Sequence, residues 1–233
     1  MRYSMLAIFM LLFHQLYAQT TVIWVVTDTG IFVGADSRAF AKKTSNLGNV
    51  KIFKTDSVCK IVNVGKYNFA IVGYFPDVVR HKAIEACKKG GTFSEVGAFF
   101  RKIFLDSMID GSAKGNFDYP DSIKGMAYSI VTFFGYENDS AKILMLGTDF
   151  VKSGDDIVPK HYSSRKNLDG IGKTSAITRY LNHNYLDKHT QNRINKLIEL
   201  QKGDTPLEVG GPVDILKVTK DGHTWLQNKD HCY

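Results

Sequence analysis

Apolar positions along the chain fall into short runs with strand-like or helix-like spacing. Val22–Val26 is a continuous run of β-branched and aromatic residues, which is typical of a strand covered on both faces. The turn residues Asp28–Gly30 separate it from a second run, Ile31–Ala35, so the pattern predicts a hairpin. Further strands are predicted at 59–64, 67–72, 127–134 and 141–147, with a last hairpin pairing 213–218 and 224–226.

Helical spacing occupies the segments between these strands. Pro76 stands where a first helical turn tolerates proline, and the helix that begins there ends before a pair of glycines. Thr92 and Glu95 have the spacing of a capping box, and the aromatic stripe that follows indicates a second, deeply buried helix. Two more helices are predicted at 175–186 and 190–201.

The order of the predicted elements indicates the fold class. Strands come first, then two helices, strands, two helices and strands, so the chain has no alternating βαβ units. Helix pairs separated by strand pairs fit two antiparallel sheets stacked face to face, with a helix pair on each outer side. We therefore predict an α+β protein with a four-layer α-β-β-α sandwich.

The first 18 residues have the pattern of a signal peptide. Arg2 precedes the apolar block 5–13, and Ala18 is a small residue after a more polar stretch. The apolar block is about half of the roughly 20 residues that span a bilayer, so a permanent anchor is not expected. We predict a signal peptide at 1–18 and one domain at 19–233, exported to the periplasm or secreted, with no membrane association after cleavage.

Charge and cysteine content narrow the classes of partner. The chain has 30 basic and 23 acidic residues, but its lysines are spread along the whole length, so no nucleic-acid partner is predicted. The spacing of the three cysteines does not indicate a metal site. Cys59 and Cys87 both fall at core positions, and whether they pair in an exported protein is left open.

Thr20 and Thr21 follow the predicted signal peptide directly. A threonine that is the first residue of a chain can act as a self-contained nucleophile, because its free α-amine can accept the hydroxyl proton. That amine has a pKa of about 7.7–8.0, so part of it is neutral near neutral pH. A cut after Ala18 would leave Gln19 ahead of Thr20, so removal of Gln19 would also be needed.

Several blocks of the sequence share spacings with one known family. The chain resembles proteasome β-subunits and related N-terminal-nucleophile hydrolases, and three spacings in its opening part agree at once. The resemblance covers nearly the whole mature chain, more weakly towards its end. The matching blocks are Thr20–Ile23, Gly30–Arg38, Lys51–Lys54, Ala70–Gly73, Gly170–Gly172 and Val209–Val213.

The resemblance implies a role for four residues. Thr20 matches the nucleophile, Asp36 the aspartate that orients a lysine, and Lys51 that lysine, if one loop is a residue shorter than in the family. Gly73 matches the position whose N–H binds the oxyanion. The resemblance implies a threonine-type peptidase or amidohydrolase that acts on a peptide or amide, uses no metal or organic cofactor and can form homo-oligomers.

Three positions depart from the family pattern. Ile171 stands where the family usually has a serine that supports the terminal amine, and Pro206 and Val209 stand where it has an aspartate and a serine. An alternative function is therefore a catalytically inactive, proteasome-like binding or structural protein. Each proposed residue also has a plain structural explanation: Asp36 in a turn, Lys51 on an exposed strand edge and Gly73 at a helix entry.

Overall fold

The computed structural model describes residues 21–44, 50–73, 76–113, 127–153, 156–164, 168–172, 174–183 and 190–229. Within these ranges the chain forms twelve strands and four helices. The strands are β1 (Thr21–Thr27), β2 (Gly30–Asp36), β3 (Ala39–Thr44), β4 (Val50–Thr55), β5 (Ile61–Val64), β6 (Tyr67–Gly73), β7 (Ala127–Glu137), β8 (Ser140–Ser153), β9 (Asp156–Ser164), β10 (Leu168–Gly172), β11 (Val213–Thr219) and β12 (Gly222–Gln227). The helices are α1 (Pro76–Lys89), α2 (Phe93–Ala113), α3 (Ser175–His183) and α4 (Thr190–Asp204).

Ten of these strands form two five-stranded sheets, and β3 and β4 form a separate ribbon. The first sheet has the order β10-β1-β2-β11-β12, and the second sheet has the order β5-β6-β7-β8-β9. Every neighbouring pair is antiparallel. Since β1 lies between β10 and β2, the segment that follows Thr20 is an interior strand of the first sheet.

Three apolar clusters separate the layers. One packs α1 and α2 on the second sheet, where Phe100 meets Phe133 edge-on with ring centroids 5.9 Å apart. A second fills the space between the sheets, where Trp24 meets Phe134 at 5.5 Å. A third packs α3 and α4 on the first sheet around Ile194. The predicted α+β class with two antiparallel sheets is confirmed, and the clusters are compatible with a sandwich of helix pair, sheet, sheet and helix pair.

The burial of β1 explains its unbroken apolar sequence. Trp24 belongs to the cluster between the sheets, whereas its neighbours Ile23 and Val25 belong to the cluster beneath α3 and α4. Successive side chains of a strand point to opposite faces, and both faces are covered here. The strand therefore carries apolar residues at every position from Val22 to Val26 instead of alternating with polar ones.

Several local predictions are also confirmed. The capping box of α2 forms, because the Thr92 amide donates to Glu95 Oε2 at 2.7 Å and the Glu95 amide donates to Thr92 Oγ1 at 3.2 Å. Asn138 and Asp139 have positive φ angles of 51° and 58° in the tight turn between β7 and β8. Asparagine and aspartate tolerate this left-handed conformation better than most residues.

Four strands were not predicted from the sequence: β3, β4, β9 and β10. Strands β3 and β4 are rich in lysine, β9 is largely polar, and β10 contains two glycines in five residues. The polar and glycine-rich sequences of β9 and β10 have little intrinsic preference for a strand, so their pairing partners decide the outcome. Strand β4 was missed even though Val50, Ile52, Phe53 and Thr55 favour a strand. The strand predicted at 59–64 begins only at Ile61, which leaves Cys59 and Lys60 in an irregular segment.

The two core cysteines do not pair with each other. Cys59 is disulfide-bonded, whereas Cys87 is a free, buried thiol whose pKa burial raises to about 12. The sequence has one other cysteine, Cys232, which lies outside the described residues, as does the predicted signal peptide at 1–18. No helix in the described part of the chain is both long and apolar enough to cross a membrane.

Candidate functional site

Asp36 is the last residue of β2 and is completely buried. The antiparallel register of β1 and β2 pairs Val22 with Ala35, so Thr21 lies beside Asp36. The main-chain N–H of Thr21 donates to Asp36 Oδ1 over 2.8 Å. The carboxylate is therefore in direct contact with the residue that follows Thr20.

Four hydrogen-bond donors converge on this carboxylate. Oδ1 accepts from the Thr21 amide and from Lys60 Nζ, the latter at 2.9 Å. Oδ2 accepts from the amides of Arg38 and Gly210 at 3.1 and 3.0 Å. A buried carboxylate is costly unless it is paired and hydrogen-bonded, and these donors come from four separate segments of the chain. Asp36 thus holds together the start of β1, the end of β2, the segment that carries Lys60 and the segment before β11.

Lys60 is the cation of this site. Its side chain is 2% exposed, and its ammonium also donates to the carbonyl oxygen of Arg38 at 2.6 Å. Burial lowers the pKa of Lys60 to about 8, because it disfavours the charged form more than the neighbouring Asp36 favours it. Lys60 is therefore mostly charged at neutral pH but gives up its proton far more readily than an exposed lysine.

The lysine that binds Asp36 is thus Lys60, and the sequence had indicated Lys51 for this contact. Lys51 lies on β4 in the ribbon, where its backbone pairs with Lys43, and its side chain is outside the described set. Strands β3 and β4 place a hairpin between Asp36 and Lys60 that spacing alone did not reveal, and the role assigned to Lys51 stays a prediction. A signal for Lys60 does exist in the sequence: it is a single cation inside the apolar run Val58–Val64, where burial demands a partner.

Gly73 ends β6 and has a φ angle of 103°. This conformation is strained for any residue with a side chain, so glycine is required by the backbone itself. Gly73 pairs with Ser129 of β7, and residues 74 and 75 lie outside the described part. The conformation explains the glycine, and the oxyanion role assigned to its N–H stays a prediction.

Apolar side chains occupy the positions where the family pattern has polar ones. Ile171 pairs with Val22 across β10 and β1, and it is buried in the cluster between the sheets. Val209 is completely buried, and its amide donates to the Thr205 carbonyl at 2.9 Å. Pro206 contributes its carbonyl oxygen, which accepts a hydrogen bond from the Arg38 guanidinium.

Arg38 links the segment after β4 to the segment before β11. Its guanidinium forms a bidentate ion pair with Asp56, in which Nε donates to Oδ1 and Nη2 donates to Oδ2, each over 2.6 Å. The hydrogen bond and charge of Arg38 hold the pKa of Asp56 below its ordinary value, and Asp56 raises the pKa of Arg38 in turn. A Cβ on Gly210 would lie 2.4 Å from the Arg38 guanidinium carbon, so glycine allows the chain to pass under this side chain.

Thr20, the predicted nucleophile, lies outside the described residues. Of the four predicted site residues, the structure brings Asp36 into contact with the residue next to Thr20 and with a lysine that was not predicted. In the described part of the chain, no group of three or more histidine, cysteine, aspartate or glutamate side chains could hold a metal ion.

Comparison with models of known families gives no match to this chain, and no curated protein matches it. The resemblance of its opening blocks to N-terminal-nucleophile hydrolases therefore stays a hypothesis.

Proposed function

We propose that this protein is an exported threonine-type amidohydrolase or peptidase with a proteasome-like fold, in which processing exposes Thr20 as the first residue. One observation carries the proposal: Asp36 Oδ1 accepts hydrogen bonds from both Lys60 and the main-chain N–H of Thr21. A buried lysine is thereby held close to the residue that is one peptide bond from Thr20. Such a cation is what an N-terminal threonine needs beside it.

The ammonium of Lys60 acts on the terminal amine through its charge. A nearby like charge lowers the pKa of an amine, so Lys60 favours the neutral α-amine of Thr20. The neutral amine accepts the proton of the Thr20 hydroxyl as the oxygen attacks the substrate carbonyl carbon. Asp36 keeps Lys60 charged and oriented but does not itself take the proton.

The reaction then follows the usual course of acyl transfer. The attack gives a tetrahedral oxyanion, which the N–H of Gly73 stabilises; one such donor is worth about 3 kcal/mol in the transition state. The terminal ammonium returns its proton to the leaving amine as the amide C–N bond breaks, leaving an ester on Thr20. Water then attacks the ester, with the same amine as base, and releases the acid.

This assignment transfers to Lys60 the role that the sequence had indicated for Lys51. Lys60 has the buried position and the contact with Asp36 that the role requires, and burial lowers its pKa to about 8, which leaves it mostly charged at neutral pH. Perturbed pKa values of this kind are typical of functional sites, although buried structural ion pairs show them as well. The proposed substrate is a small peptide or an amide, and the proposed setting is the periplasm or the extracellular space, with self-association into homo-oligomers.

A second candidate function has its own support in the structure. Ile171 and Val209 are buried apolar residues at positions where the family pattern places serines. Apolar side chains cannot donate or accept hydrogen bonds, so neither can support a terminal amine or relay a proton. A protein that keeps this fold for binding or structure, without turnover, would have the same features.

Two measurements on the exported protein decide between these functions. Intact mass spectrometry of the mature chain should give a start at Thr20, and a start at Gln19 would favour the binding or structural protein. The Thr20→Ala variant should lose amide cleavage by a factor of about 10³ or more, because no other group replaces the nucleophile.

The control for that variant is Thr29→Ala, which changes an exposed threonine in the turn between β1 and β2 and should keep full activity. Equal turnover by Thr20→Ala and wild type would eliminate Thr20 as the nucleophile.

A further inference from the structure

The segment that carries Lys60 is irregular, and contacts from distant parts of the chain hold it in place. Residues 57–60 belong to no strand or helix. The Val58 amide donates to the Ser37 carbonyl at 3.1 Å, and the Val58 carbonyl accepts from Lys229 Nζ at 2.6 Å. The next carbonyl, that of Cys59, accepts a hydrogen bond from Arg80 of α1. Two cations therefore bind two successive carbonyls immediately before Lys60.

Lys229 is itself held by a buried carboxylate. Its ammonium lies 2.8 Å from Asp214 Oδ2, and its amide donates to Asp214 Oδ1 at 3.0 Å. The two side chains are 9% and 1% exposed. Asp214 lies on β11 opposite Ala35, the residue before Asp36. A second buried ion pair thus stands on the strand next to the first.

The surroundings of Lys60 contain charges of both signs. It faces Asp36 from β2, Asp214 from β11, Lys229 from the segment after β12, and Asp56 from the segment after β4. Lys229 disfavours the ammonium form of Lys60, and Asp214 favours it. Two arginines complete the set, since Arg80 binds the Cys59 carbonyl, while Arg38 offers its carbonyl to Lys60 and its guanidinium to Asp56.

We propose that Asp214 and Lys229 form a positioning pair for Lys60. Lys229 fixes the backbone from which Lys60 extends, and the two opposite charges together set how readily Lys60 holds its proton. The pair touches neither Thr20 nor a substrate, so it acts only through Lys60. Its catalytic consequence rests on the proposed function, whereas its effect on Lys60 does not.

An ion pair that sets the proton affinity of Lys60 and one that does not affect Lys60 respond differently to single substitutions. Asp214→Asn removes the charge that favours the Lys60 ammonium and keeps Lys229, so the pKa of Lys60 should fall. Lys229→Met removes the charge that disfavours it and leaves Asp214 unpaired, so the pKa of Lys60 should rise. The double variant loses both charges and should titrate between the two single variants. Loss of packing alone would not move the midpoint in opposite directions.

The experiment follows Lys60 without using activity. Protein labelled with ¹³C at the lysine ε-carbons is titrated by NMR from about pH 6 to about pH 11, a range that includes the lysine transitions. The Lys60 signal is assigned by its absence in Lys60→Arg. Lys82→Met is the matched control, because Lys82 forms an exposed ion pair with Glu85 on α1 and should leave the Lys60 midpoint unchanged.

The double variant protects the test against misfolding, because it leaves no unpaired buried charge. Lys229→Arg keeps the charge and should titrate like wild type. An unchanged Lys60 midpoint in both single variants, or shifts of the same sign, would overturn the positioning pair.

An amide-cleavage assay distinguishes a failure of the positioning pair from a failure of the proposed function on which it rests. If cleavage is detected and depends on Thr20, its rate against pH should follow the same order, with the alkaline limb lowest in Asp214→Asn. If the Lys60 midpoint moves in opposite directions in the two single variants but the protein cleaves no amide, the positioning pair is supported and the proposed function is wrong. If cleavage depends on Thr20 but the Lys60 midpoint is the same in all variants, only the positioning pair is wrong.

Discussion

The two sides of the candidate site differ in almost every physical property. On one side, Asp36 and Lys60 form a buried, hydrogen-bonded ion pair beside the start of β1. On the other side, Ile171 and Val209 are buried apolar residues that contribute to packing. Asp36 on β2 and Ile171 on β10 border the same strand, β1, whereas Val209 precedes Gly210, whose amide donates to Asp36.

The difference separates two requirements of an N-terminal nucleophile. Under the proposed function, Lys60 would be the charged neighbour that lowers the pKa of the amine, whereas Ile171 and Val209 offer no hydrogen-bonding groups that could orient that amine. Burying an ion pair is costly, and replacing one with apolar residues is often neutral or stabilising. The buried pair of Asp36 and Lys60 is therefore the part of this site in which the proposed function and a purely structural role make different predictions.

Removal of Lys60 should have the largest effect on the polar side. Lys60→Met leaves Asp36 buried without its cation, and breaking one partner of a buried pair costs about 3–5 kcal/mol. We expect the free energy of unfolding in urea to fall by about that amount, and any amide cleavage to be lost. The measurement is equilibrium unfolding followed by circular dichroism.

Lys51→Met is the matched control for this variant. It removes a lysine from the ribbon, and if the role belongs to Lys60 and not to Lys51, stability should change by less than about 0.5 kcal/mol, as for substitutions outside buried networks. If Lys51→Met were as damaging as Lys60→Met, the transfer of the role from Lys51 to Lys60 would be wrong.

The pH dependence of stability should report the same lysine. The pKa of Lys60 is about 8 in the folded protein and near its ordinary 10.5 in the unfolded chain, so the unfolded chain binds more protons between these values. Stability therefore rises with pH across this window, by an amount of order 3 kcal/mol if the whole shift is expressed.

Urea unfolding at pH 7.5 to 10.5 or so, compared with Lys60→Met, isolates this contribution from the other titrating groups. A difference between wild type and variant that stays constant over the window would show that Lys60 does not have a lowered pKa.

The apolar side is tested by substitutions of Val209. Val209→Ala removes two methyl groups from a completely buried residue and should cost about 2 kcal/mol. Val209→Ser removes the same methyl groups and adds a hydroxyl, which should cost about 1–2 kcal/mol more if that hydroxyl is buried without a hydrogen-bond partner. If the serine variant were the more stable of the two, position 209 would offer a hydrogen-bond partner for a hydroxyl. The apolar side would then have polar groups like those around Asp36.

Most of the helices and paired strands follow from local patterns in the sequence. The unbroken run in β1 predicted two covered faces, and the Thr92–Glu95 box predicted the start of α2. These features depend on residues that are close in sequence. Strands β9 and β10 were missed because their polar and glycine-rich sequences become strands only through their partners, β8 and β1.

The candidate site was only half predictable for a related reason. Asp36 ends a clear strand next to Thr21 in a hairpin, so its position follows from short-range pairing. The lysine reaches Asp36 from a segment beyond the ribbon, and the number of residues in that ribbon cannot be deduced from apolar spacing. Lys51 was chosen by counting along the chain, whereas Lys60 is selected by burial.

The sequence by itself determined the α+β class, the helix pairs and the buried hairpin that ends in Asp36. Only the tertiary structure decided which lysine binds Asp36, and that Cys87 is not the partner of Cys59. Local patterns record what each segment prefers, because propensity and amphipathicity act over a few residues. A buried ion pair joins segments far apart in the chain, and its energy depends on solvent exclusion, which exists only after the layers have packed.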